Sequence, residues 1–443
     1  MIVPLSEAEA ATCGGKAAAL GALLRAGLPV PGGFVLPFAA YRAAAGDLDP
    51  GRLTGEPGDP ARVRQAIAAR PLPGALIGAL ERALAEIGDV PVAVRSSASG
   101  EDTGRASAAG QHESFLAVRG ADEVAGAVRA CWASLVSPRA VAYRNAPGHD
   151  GGPGGDPLMA VIVQRHLDAE VSGVMFTPSA PGGETEIEAS WGLGPSVVGG
   201  TVTPDSYRVA GDGTVARTVA DKRTRLDRRG GRLAVLDVPA PDRERPALDD
   251  AAAVRLARLG GEVAAALGGP QDVEWAIAGG RIWLLQARPI TAALPRRPAR
   301  DAAPGASATA SDTPATATGV ANTAPGVSST APDAPAVALS GTPGSHGTAT
   351  GAARIVRGPR DFGRVRPGDI LVCPFTDPAW TPLLRIAAGV VTETGGVLSH
   401  AAIVARERAI PAVLGVPDAT GRLRDGALIT IDGTTGTVTA ATP

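Results

Sequence analysis

His400 is the histidine whose setting most suits chemistry. It lies in TETGGVLSHAAIVARERAIPAVLG, which runs from Thr392 to Gly415. Ser399 is a favoured N-cap residue, so the pattern predicts a helix that begins at His400. The positive end of a helix lowers an imidazole pKa, keeps the ring neutral at about pH 7 and stabilises an anion. His400 is therefore a structural residue, a metal ligand or a nucleophile, and only Glu393 and Glu407 lie near enough in sequence to complete a metal site.

Lysine is rare, since only Lys16 and Lys222 are lysines among 42 basic residues. A compact ammonium can bind phosphate as a point charge, so both positions are candidates for that role. Lys16 follows two glycines in CGGKAAAL, where the start of a helix would add backbone N–H groups. The alternative is an ordinary surface lysine. The chain has no GxxxxGK[ST] motif, which excludes a P-loop.

Arg95 lies in VAVRSSASGEDTGRASAAGQHESFL, residues 92–116. A β-branched strand there leads into serine, glycine and alanine residues that are too small to pack well. This composition suits a mobile flap that closes on phosphate oxygens, and the alternative is an ordinary polar loop.

DVEWAIAGGRIWLLQARPIT, residues 272–291, predicts a β-hairpin with a Gly-Gly turn. Asp272 and Glu274 share one face of their strand, and Gln286 and Arg288 share one face of theirs. Two carboxylates and an amide oxygen are hard ligands suited to Mg²⁺, and an arginine can bind phosphate. The alternative is a surface hairpin held by salt bridges. The strand pattern TEIEAS likewise places Glu188 on the same face as Glu186.

Composition excludes several classes of protein. The formal net charge of −2 over 443 residues predicts no overall attraction to nucleic acid or to a membrane. The sequence shows no apolar run of about 18 residues and no basic N-terminus followed by an apolar stretch, so we expect a cytoplasmic protein. Three widely spaced cysteines predict neither a disulfide framework nor a zinc site. The other four histidines, His112, His149, His166 and His346, lack a comparable setting and are expected to be structural or surface residues.

A segment of alanine, proline, threonine, serine and glycine separates two regions that must position these residues. Its composition cannot bury enough apolar surface to offset the entropy of ordering, which predicts a disordered tether. Helical and strand patterns alternate before it, and short strands with one helix at His400 follow it. The sequence predicts an α/β multidomain protein, with an N-terminal domain over 1–292, a flexible linker over 293–345 and a C-terminal domain over 346–443.

Several segments together resemble the dikinase superfamily, which includes phosphoenolpyruvate synthase, pyruvate phosphate dikinase and rifampin phosphotransferase. Gly-Gly-Lys, VAVRSSASGED, GQHESFLAV, ASWGLG, TPDSY and DVEWAI…LLQARPI are similar to its ATP-grasp domain. CPFTDPAWTPLL and ETGGVLSHAAIVARERAIPAVLG are similar to its phosphohistidine domain. They occur in the family's order over nearly all of the sequence outside the linker. Pro195 departs from the pattern, because members often have an acid there, and it is assigned no role.

The resemblance implies an ATP-grasp domain, a small swivelling β/β/α phosphohistidine domain, and both ATP and Mg²⁺. His400 would accept a pyrophosphoryl group from Mg·ATP with release of AMP, lose phosphate to water or inorganic phosphate, and pass the remaining phosphoryl group to an acceptor. The tether would let His400 visit both sites. By resemblance, Lys16, Arg95 and Arg288 would bind the ATP phosphates. Asp272, Glu274 and Gln286 would hold Mg²⁺. Gln164 would lie beside the adenine, and Glu188 is a weaker candidate for the same nucleotide-binding cleft.

Family enzymes carry a third domain for the acceptor, and no segment of this sequence resembles one. Three interpretations follow. The chain is an enzyme half whose acceptor is bound by a partner subunit, or a self-sufficient phosphotransferase that acts on a small molecule between its two domains. The third interpretation, a non-catalytic nucleotide-binding regulatory protein, is disfavoured because candidates for every ATP-grasp role and for the histidine are present.

Overall fold

The computed structural model describes residues 2–46, 48, 60–99, 113–138, 140–141, 157–180, 182–291 and 339–440. The central part of the expected phosphate flap, residues 100–112, lies outside these ranges. So do His112, His149 and most of the expected tether, residues 292–338.

The N-terminal region begins with a five-stranded antiparallel sheet in the order β1-β2-β5-β3-β4. Both of its faces are buried, because alternate residues along a strand enter different cores. Val35 and Ile162 belong to the core shared with α1, whereas Phe34 and Val163 pack with α2–α5. The elements are β1 Val3–Pro4, α1 Ala10–Arg25, β2 Gly33–Leu36, α2 Phe38–Ala45, α3 Pro60–Ala69, α4 Gly74–Glu86, β3 Val92–Ala98, β4 Ser114–Val118, α5 Ala121–Ser134 and β5 Met159–Arg165.

A second sheet has six antiparallel strands in the order β13-β12-β6-β7-β8-β9, and β10 and β11 form a separate hairpin. Helix α8 packs against β6, β7, β8 and β12. The elements are β6 Val171–Phe176, β7 Thr185–Trp191, α6 Pro195–Val198, β8 Asp205–Val209, β9 Val215–Thr218, β10 Thr224–Arg229, β11 Arg232–Asp237, α7 Ala240–Arg243, α8 Asp250–Leu267, β12 Gln271–Ala278 and β13 Arg281–Pro289.

Local sequence explains the bounds of α8. The Asp249 side chain accepts a hydrogen bond from the Ala252 N–H at 2.6 Å, which satisfies one of the free donors at the helix start. Gly268 ends the helix at φ 80°, a left-handed conformation that favours glycine. Between these ends, Leu256 and Val263 lie on the buried face, as the helical spacing of apolar residues predicts.

Lys222, the second of the two candidate phosphate-binding lysines, is a structural residue in the fold. Its ammonium lies 2.6 Å from Asp205 Oδ1 and 3.0 Å from the Ala220 carbonyl oxygen, and both charged side chains are fully buried. Asp205 also accepts N–H groups from Ala220 and Ala247. The pair therefore ties β8 to the loops beside it, with each charge compensated by hydrogen bonds.

The C-terminal region is an eight-stranded sheet in the order β14-β21-β20-β16-β17-β18-β19-β15, with parallel pairing from β16 to β19. The central strand β17 is buried throughout, as is typical of parallel strands covered on both faces. The elements are β14 Leu339–Ser340, β15 Thr342–Ser345, β16 Thr348–Ile355, β17 Ile370–Cys373, α9 Thr381–Leu384, β18 Gly389–Thr392, α10 His400–Glu407, β19 Ala412–Leu414, α11 Ala419–Arg422, β20 Leu428–Asp432 and β21 Thr437–Ala440.

The expected end of the linker at residue 345 is wrong. β14 pairs with β21 and β15 pairs with β19, so residues 339–345 belong to the C-terminal sheet. The composition of this stretch resembles that of the segment before it, so composition alone did not predict the pairing of residues 339–345.

Candidate functional site

The β12–β13 hairpin forms one wall of the candidate site, and the hairpin expected from the sequence is confirmed. Asp272 lies opposite Arg288 and Glu274 lies opposite Gln286, so all four side chains line one face. Arg288 donates to Asp272 Oδ2 from Nε at 2.8 Å and from Nη2 at 2.7 Å. Asp272, Gln286 and Arg288 are buried. The turn is at Gly279-Gly280, where both φ angles are positive.

Arg95 connects the first sheet to this hairpin. It stands on β3, and its Nη1 donates to the Leu285 carbonyl oxygen at 2.5 Å. Its Nη2 donates to Gln286 Oε1 at 2.6 Å and lies 3.3 Å from Glu274 Oε2. The structure thus brings Arg95 together with two of the three expected metal ligands, although about 180 to 190 residues separate them in sequence.

Lys16 lies just after a break in α1. Gly14 has φ 80° and ψ 168°, so the helix restarts beyond it, as the Gly-Gly-Lys pattern predicts. A Cβ at Gly14 would lie 2.7 Å from the Ser97 carbonyl oxygen, which explains the glycine. Ser97 Oγ accepts the Ala17 N–H at 3.2 Å, and α1 packs against both β3 and β13. These contacts place the Lys16 turn beside the strands that carry Arg95 and Arg288.

Gln164 is buried in β5, between β2 and β3, where it lies opposite Ala93. Its Nε2 donates to the Pro31 carbonyl oxygen at 2.8 Å. This hydrogen bond anchors the loop before β2. On the neighbouring strand β3, the residue paired with Gln164 lies two residues before Arg95. The expected contact of Gln164 with adenine stays a prediction.

His400 is the first residue of α10, as the sequence predicts, and only 4% of it is exposed. Thr376 Oγ1 lies 2.9 Å from Nδ1, and Thr381 Oγ1 lies 3.4 Å from Nε2. Ser399 has the extended backbone of an N-cap, but its hydroxyl donates to the Gly396 carbonyl oxygen at 2.8 Å. Ser399 therefore shapes the loop before the helix instead of capping the helix with its side chain.

Burial, together with the positive charge of Arg288, lowers the pKa of His400 to about 4. The ring is therefore neutral at about pH 7, as expected from the sequence, with burial and Arg288 as the causes.

The two regions meet around His400. Leu398 and Ile403 pack in one apolar cluster with Val174, Phe176 and Val197 of the N-terminal region. Polar contacts cross the same boundary: Thr394 Oγ1 donates to the Gly200 carbonyl oxygen at 2.6 Å, and Thr291 Oγ1 donates to Glu407 Oε1 at 2.9 Å. His400 is thus held in a docked arrangement against the N-terminal region.

Glu188 also lies at this boundary. It is buried on β7, and its Oε2 accepts the Leu398 N–H at 3.1 Å. Burial raises its pKa to about 7, while the Leu398 and Val397 N–H groups and the charge of Arg406 oppose that rise. In this arrangement its carboxylate contacts the His400 loop, and its expected role in nucleotide binding stays a prediction.

Thr376, Thr381 and Arg406 were missed by the sequence analysis. The two threonines precede His400 by 24 and 19 residues, and no short-range spacing connects them to it. Arg406 Nη1 donates to the carbonyl oxygens of Val397 and Gly344 at 2.7 and 2.9 Å. The only available signals were the resemblances of CPFTDPAWTPLL, which contains both threonines, and of ETGGVLSHAAIVARERAIPAVLG, which contains Arg406.

The oxygen donors on the hairpin fit a hard divalent cation. In the part of the chain that the structure describes, no group of three or more His, Cys, Asp and Glu side chains could hold a metal. The donor set is instead two carboxylates and one amide oxygen, from Asp272, Glu274 and Gln286. Each of these three side chains contacts a positively charged guanidinium group: Asp272 pairs with Arg288, and Glu274 and Gln286 contact Arg95. Oxygen atoms that attract a guanidinium group also have the charge and the chemistry to bind Mg²⁺.

Comparison with known proteins agrees with this geometry. A family described as pyruvate phosphate dikinase, AMP/ATP-binding domain, matches residues 10–306, and one described as PEP-utilising enzyme, mobile domain, matches residues 365–436. The first match covers more than half of the chain, so the chain belongs to this family of the dikinase superfamily. The resemblance noted in the sequence is thereby confirmed.

Two relatives illustrate the similarity. A probable phosphoenolpyruvate synthase of Methanothermobacter thermautotrophicus is 36% identical, over 98% of this chain and 62% of its own. The phosphoenolpyruvate synthase of Aeropyrum pernix is 34% identical, over 96% of this chain and 56% of its own. The chain therefore spans about three fifths of the length of these relatives. Among solved structures, Thermococcus kodakaraensis aconitase X (holo-form) matches 24% of this chain and 98% of its own at 19% identity and a TM-score of 0.20, which is too low to carry an argument.

The structure also bears on the remaining expectations. No helix among the described residues is long and apolar enough to cross a membrane. His346 is exposed and contacts Thr434, and His166 lies 3.7 Å from Asp168. Both lie outside the cluster around the hairpin.

Proposed function

We propose that the chain is an ATP-dependent phosphotransferase of the dikinase type, in which His400 carries the transferred group. The observation that supports this most directly is a neutral, buried histidine at the start of a helix, whose pKa is lowered by burial and by the charge of Arg288 on the hairpin. A neutral imidazole has a free lone pair for attack, and the helix start favours the anion that forms on it.

In the first half-reaction, a ring nitrogen of His400 attacks the β-phosphorus of ATP. The bond from that phosphorus to the oxygen bridging to the α-phosphate breaks, and AMP leaves. Thr376 has the shorter contact, at Nδ1, so it would hold the proton there and leave Nε2 as the nucleophile. Lys16, Arg95 and Arg288 would neutralise the phosphate oxygens, since catalysis of phosphoryl transfer is mainly positioning and charge stabilisation.

Asp272, Glu274 and Gln286 would hold Mg²⁺, which supplies charge neutralisation on the phosphate oxygens when bound. Arg95 and Arg288 would then turn their donors from these oxygens to the substrate. Gln164, buried on β5, would contribute to the nucleotide pocket. We propose that residues 1–292 form an ATP-grasp domain. We also propose that the C-terminal domain begins at residue 339 and swivels on the intervening tether.

In the second half-reaction, the pyrophosphoryl group on His400 loses its outer phosphate to water or inorganic phosphate, and the remaining group passes to an acceptor. We propose that the acceptor is bound by a partner subunit. The relatives are named phosphoenolpyruvate synthases, so phosphoenolpyruvate is the first product to test. The alternatives are a small-molecule acceptor between the two regions and a regulatory nucleotide-binding role without transfer.

The test is incubation of the purified chain with Mg²⁺ and ATP labelled at the β-phosphate, followed by measurement of acid-labile, base-stable protein label and of AMP. His400→Ala should abolish both label and AMP. His346→Ala is the matched control, because it removes an exposed histidine from the same region and should keep both. A second incubation with labelled phosphoenolpyruvate tests the reverse of acceptor transfer.

Label on His400 with stoichiometric AMP would support the first half-reaction. ATP binding without label would leave the regulatory alternative. Label in the His400→Ala variant would show that another residue carries the group and would overturn the proposal.

A further inference from the structure

Glu188 makes an unusual contact for a buried acid, since its partners belong to the other region of the chain. β7 is an interior strand, with Val174 of β6 on one side of Glu188 and Ser206 of β8 on the other. From there the carboxylate reaches the loop before His400, where Oε2 accepts the Leu398 N–H at 3.1 Å and the Val397 N–H faces it. A carboxylate of one sheet thus satisfies backbone donors two residues from the candidate nucleophile.

The loop is built to admit this carboxylate. A Cβ at Gly396 would collide with both carboxylate oxygens of Glu188, so only glycine permits the approach. Gly395 next to it has φ 106°, which turns the loop, and Thr394 binds the Gly200 carbonyl oxygen. The Gly-Gly pair before His400 is therefore explained by docking against β7.

Arg406 completes the surroundings of the carboxylate. It donates to the Val397 carbonyl oxygen, and its Nε and Nη2 are buried without a hydrogen-bond partner among the described residues. Burial lowers the pKa of Arg406 to about 10, and the charges of Glu188, Asp272 and Glu407 oppose that fall. Glu188 thus faces one cation and two backbone donors in a region from which water is largely excluded, where charges interact strongly.

We infer that Glu188 is a charge-sensitive positioning residue that holds the His400 loop in the docked arrangement and releases it when His400 acquires negative charge. The inference deepens the proposed function, because transfer through His400 requires the C-terminal region to dock and then to leave. A phosphate group on His400 and the Glu188 carboxylate would compete for the N–H groups of the loop just before α10. Their like charges would also repel within a buried site.

The test measures docking without ATP, so its outcome does not depend on phosphoryl transfer. Fluorophores on Glu81→Cys and Arg424→Cys, two exposed positions in different regions, report the distance between them by single-molecule energy transfer. The native cysteines, Cys13, Cys131 and Cys373, are buried. His400→Glu supplies the added charge, and His400→Gln is its neutral control.

Glu188→Ala should lower the docking equilibrium constant about tenfold or more, because it leaves a buried N–H without an acceptor. Glu188→Gln should restore docking, since its amide oxygen can accept the Leu398 N–H. His400→Glu should lower docking by a similar factor when Glu188 is present. In the Glu188→Gln background the same charge should have little effect.

Two results would overturn the inference. In the first, Glu188→Ala docks as firmly as the parent chain, which shows that the contact positions nothing. In the second, His400→Glu opens the Glu188→Gln variant as much as the parent, which shows that the charge of Glu188 plays no part. The comparison of Glu188→Ala with Glu188→Gln keeps its meaning even if His400→Glu unfolds the C-terminal region, because both retain His400.

Discussion

Asp272 and Arg288 face each other across the β12–β13 hairpin with Oδ2 and Nη2 2.7 Å apart, and both side chains are almost fully buried. The charge of the same arginine lowers the pKa of His400. One ion pair therefore links the oxygen donors of the candidate cation site to the histidine of the other region.

Asp272→Ala should lower the free energy of unfolding by about 3 kcal/mol in the absence of ATP and Mg²⁺. Removing one member of a buried pair leaves the partner charge without this compensation. The matched control is Asp221→Ala, since Asp221 and Arg223 form an exposed pair with a 2.6 Å contact. That change should cost at most about 1 kcal/mol. Denaturant unfolding measures both, and equal losses would contradict the assignment.

Gly14→Ala should destabilise the chain by about 2 kcal/mol or more, because φ is +80° and the new Cβ would press against Ser97. It should also weaken ATP binding by displacing Lys16. Gly78→Ala is the control, since a Cβ in α4 would meet only Arg82 Nη1 at an ordinary 3.5 Å. Because this glycine lies inside a helix, its replacement by alanine should raise the free energy of unfolding by about 0.5–1 kcal/mol. Thermal unfolding and titration calorimetry check the pair, and a Gly14→Ala chain that binds ATP normally would contradict it.

Sequence patterns predicted most of the elements that hold the site, for physical reasons. The Gly-Gly turn and period-two alternation define the β12–β13 hairpin and place its four polar residues on one face. Gly14 marks the break in α1, and the loop ending at Ser399 marks the start of α10. Each of these signals lies within a few residues of the feature that it predicts.

Long-range contacts could not be predicted in this way. Arg95 meets Gln286 because two sheets pack together, and Thr376 meets His400 because two loops end at one edge of the C-terminal sheet. The structural role of Lys222 could not be predicted for the same reason, since its partner Asp205 is found only through tertiary packing. The two short strands before Ser345 are defined by pairing with β19 and β21, and their composition gives no hint of it.

Thr376→Val should slow phosphohistidine formation about tenfold or more, because it removes the hydrogen bond that orients the ring and selects its tautomer. Thr376→Ser should restore most of the rate. Thr381→Val should have a smaller effect, since its hydroxyl lies 3.4 Å from Nε2 against 2.9 Å for Thr376 and Nδ1. Single-turnover labelling from β-labelled ATP measures all three. A larger effect at Thr381, or no rescue by serine, would contradict the assigned roles.

Through Glu188, docking of the two regions should take up a proton and weaken as pH rises. The pKa of Glu188 is about 7 when docked, against an ordinary 4.5 for a glutamate in water, so the docked state binds more protons between those values. Falling pH therefore favours docking through that window. The charged groups facing Glu188 are Arg406, which stays protonated, and Glu186. The pKa of His400 is about 4 when docked, against an ordinary 6.5, so this histidine releases a proton on docking and opposes Glu188 over the same window.

With His400→Gln as the parent chain, so that no histidine titrates at the site, the docked fraction measured by energy transfer should fall from about pH 5 to pH 7. Glu188→Gln removes the titrating group and keeps the hydrogen-bond acceptor, so its docked fraction should be nearly independent of pH over the same range. Glu186→Gln is the matched control: it removes a neighbouring acid on the same strand and should retain most of the slope. A slope that persists in Glu188→Gln would assign the proton to another group, and a parent chain without a slope would show that the Glu188 carboxyl is no more buried in the docked state than in the free one.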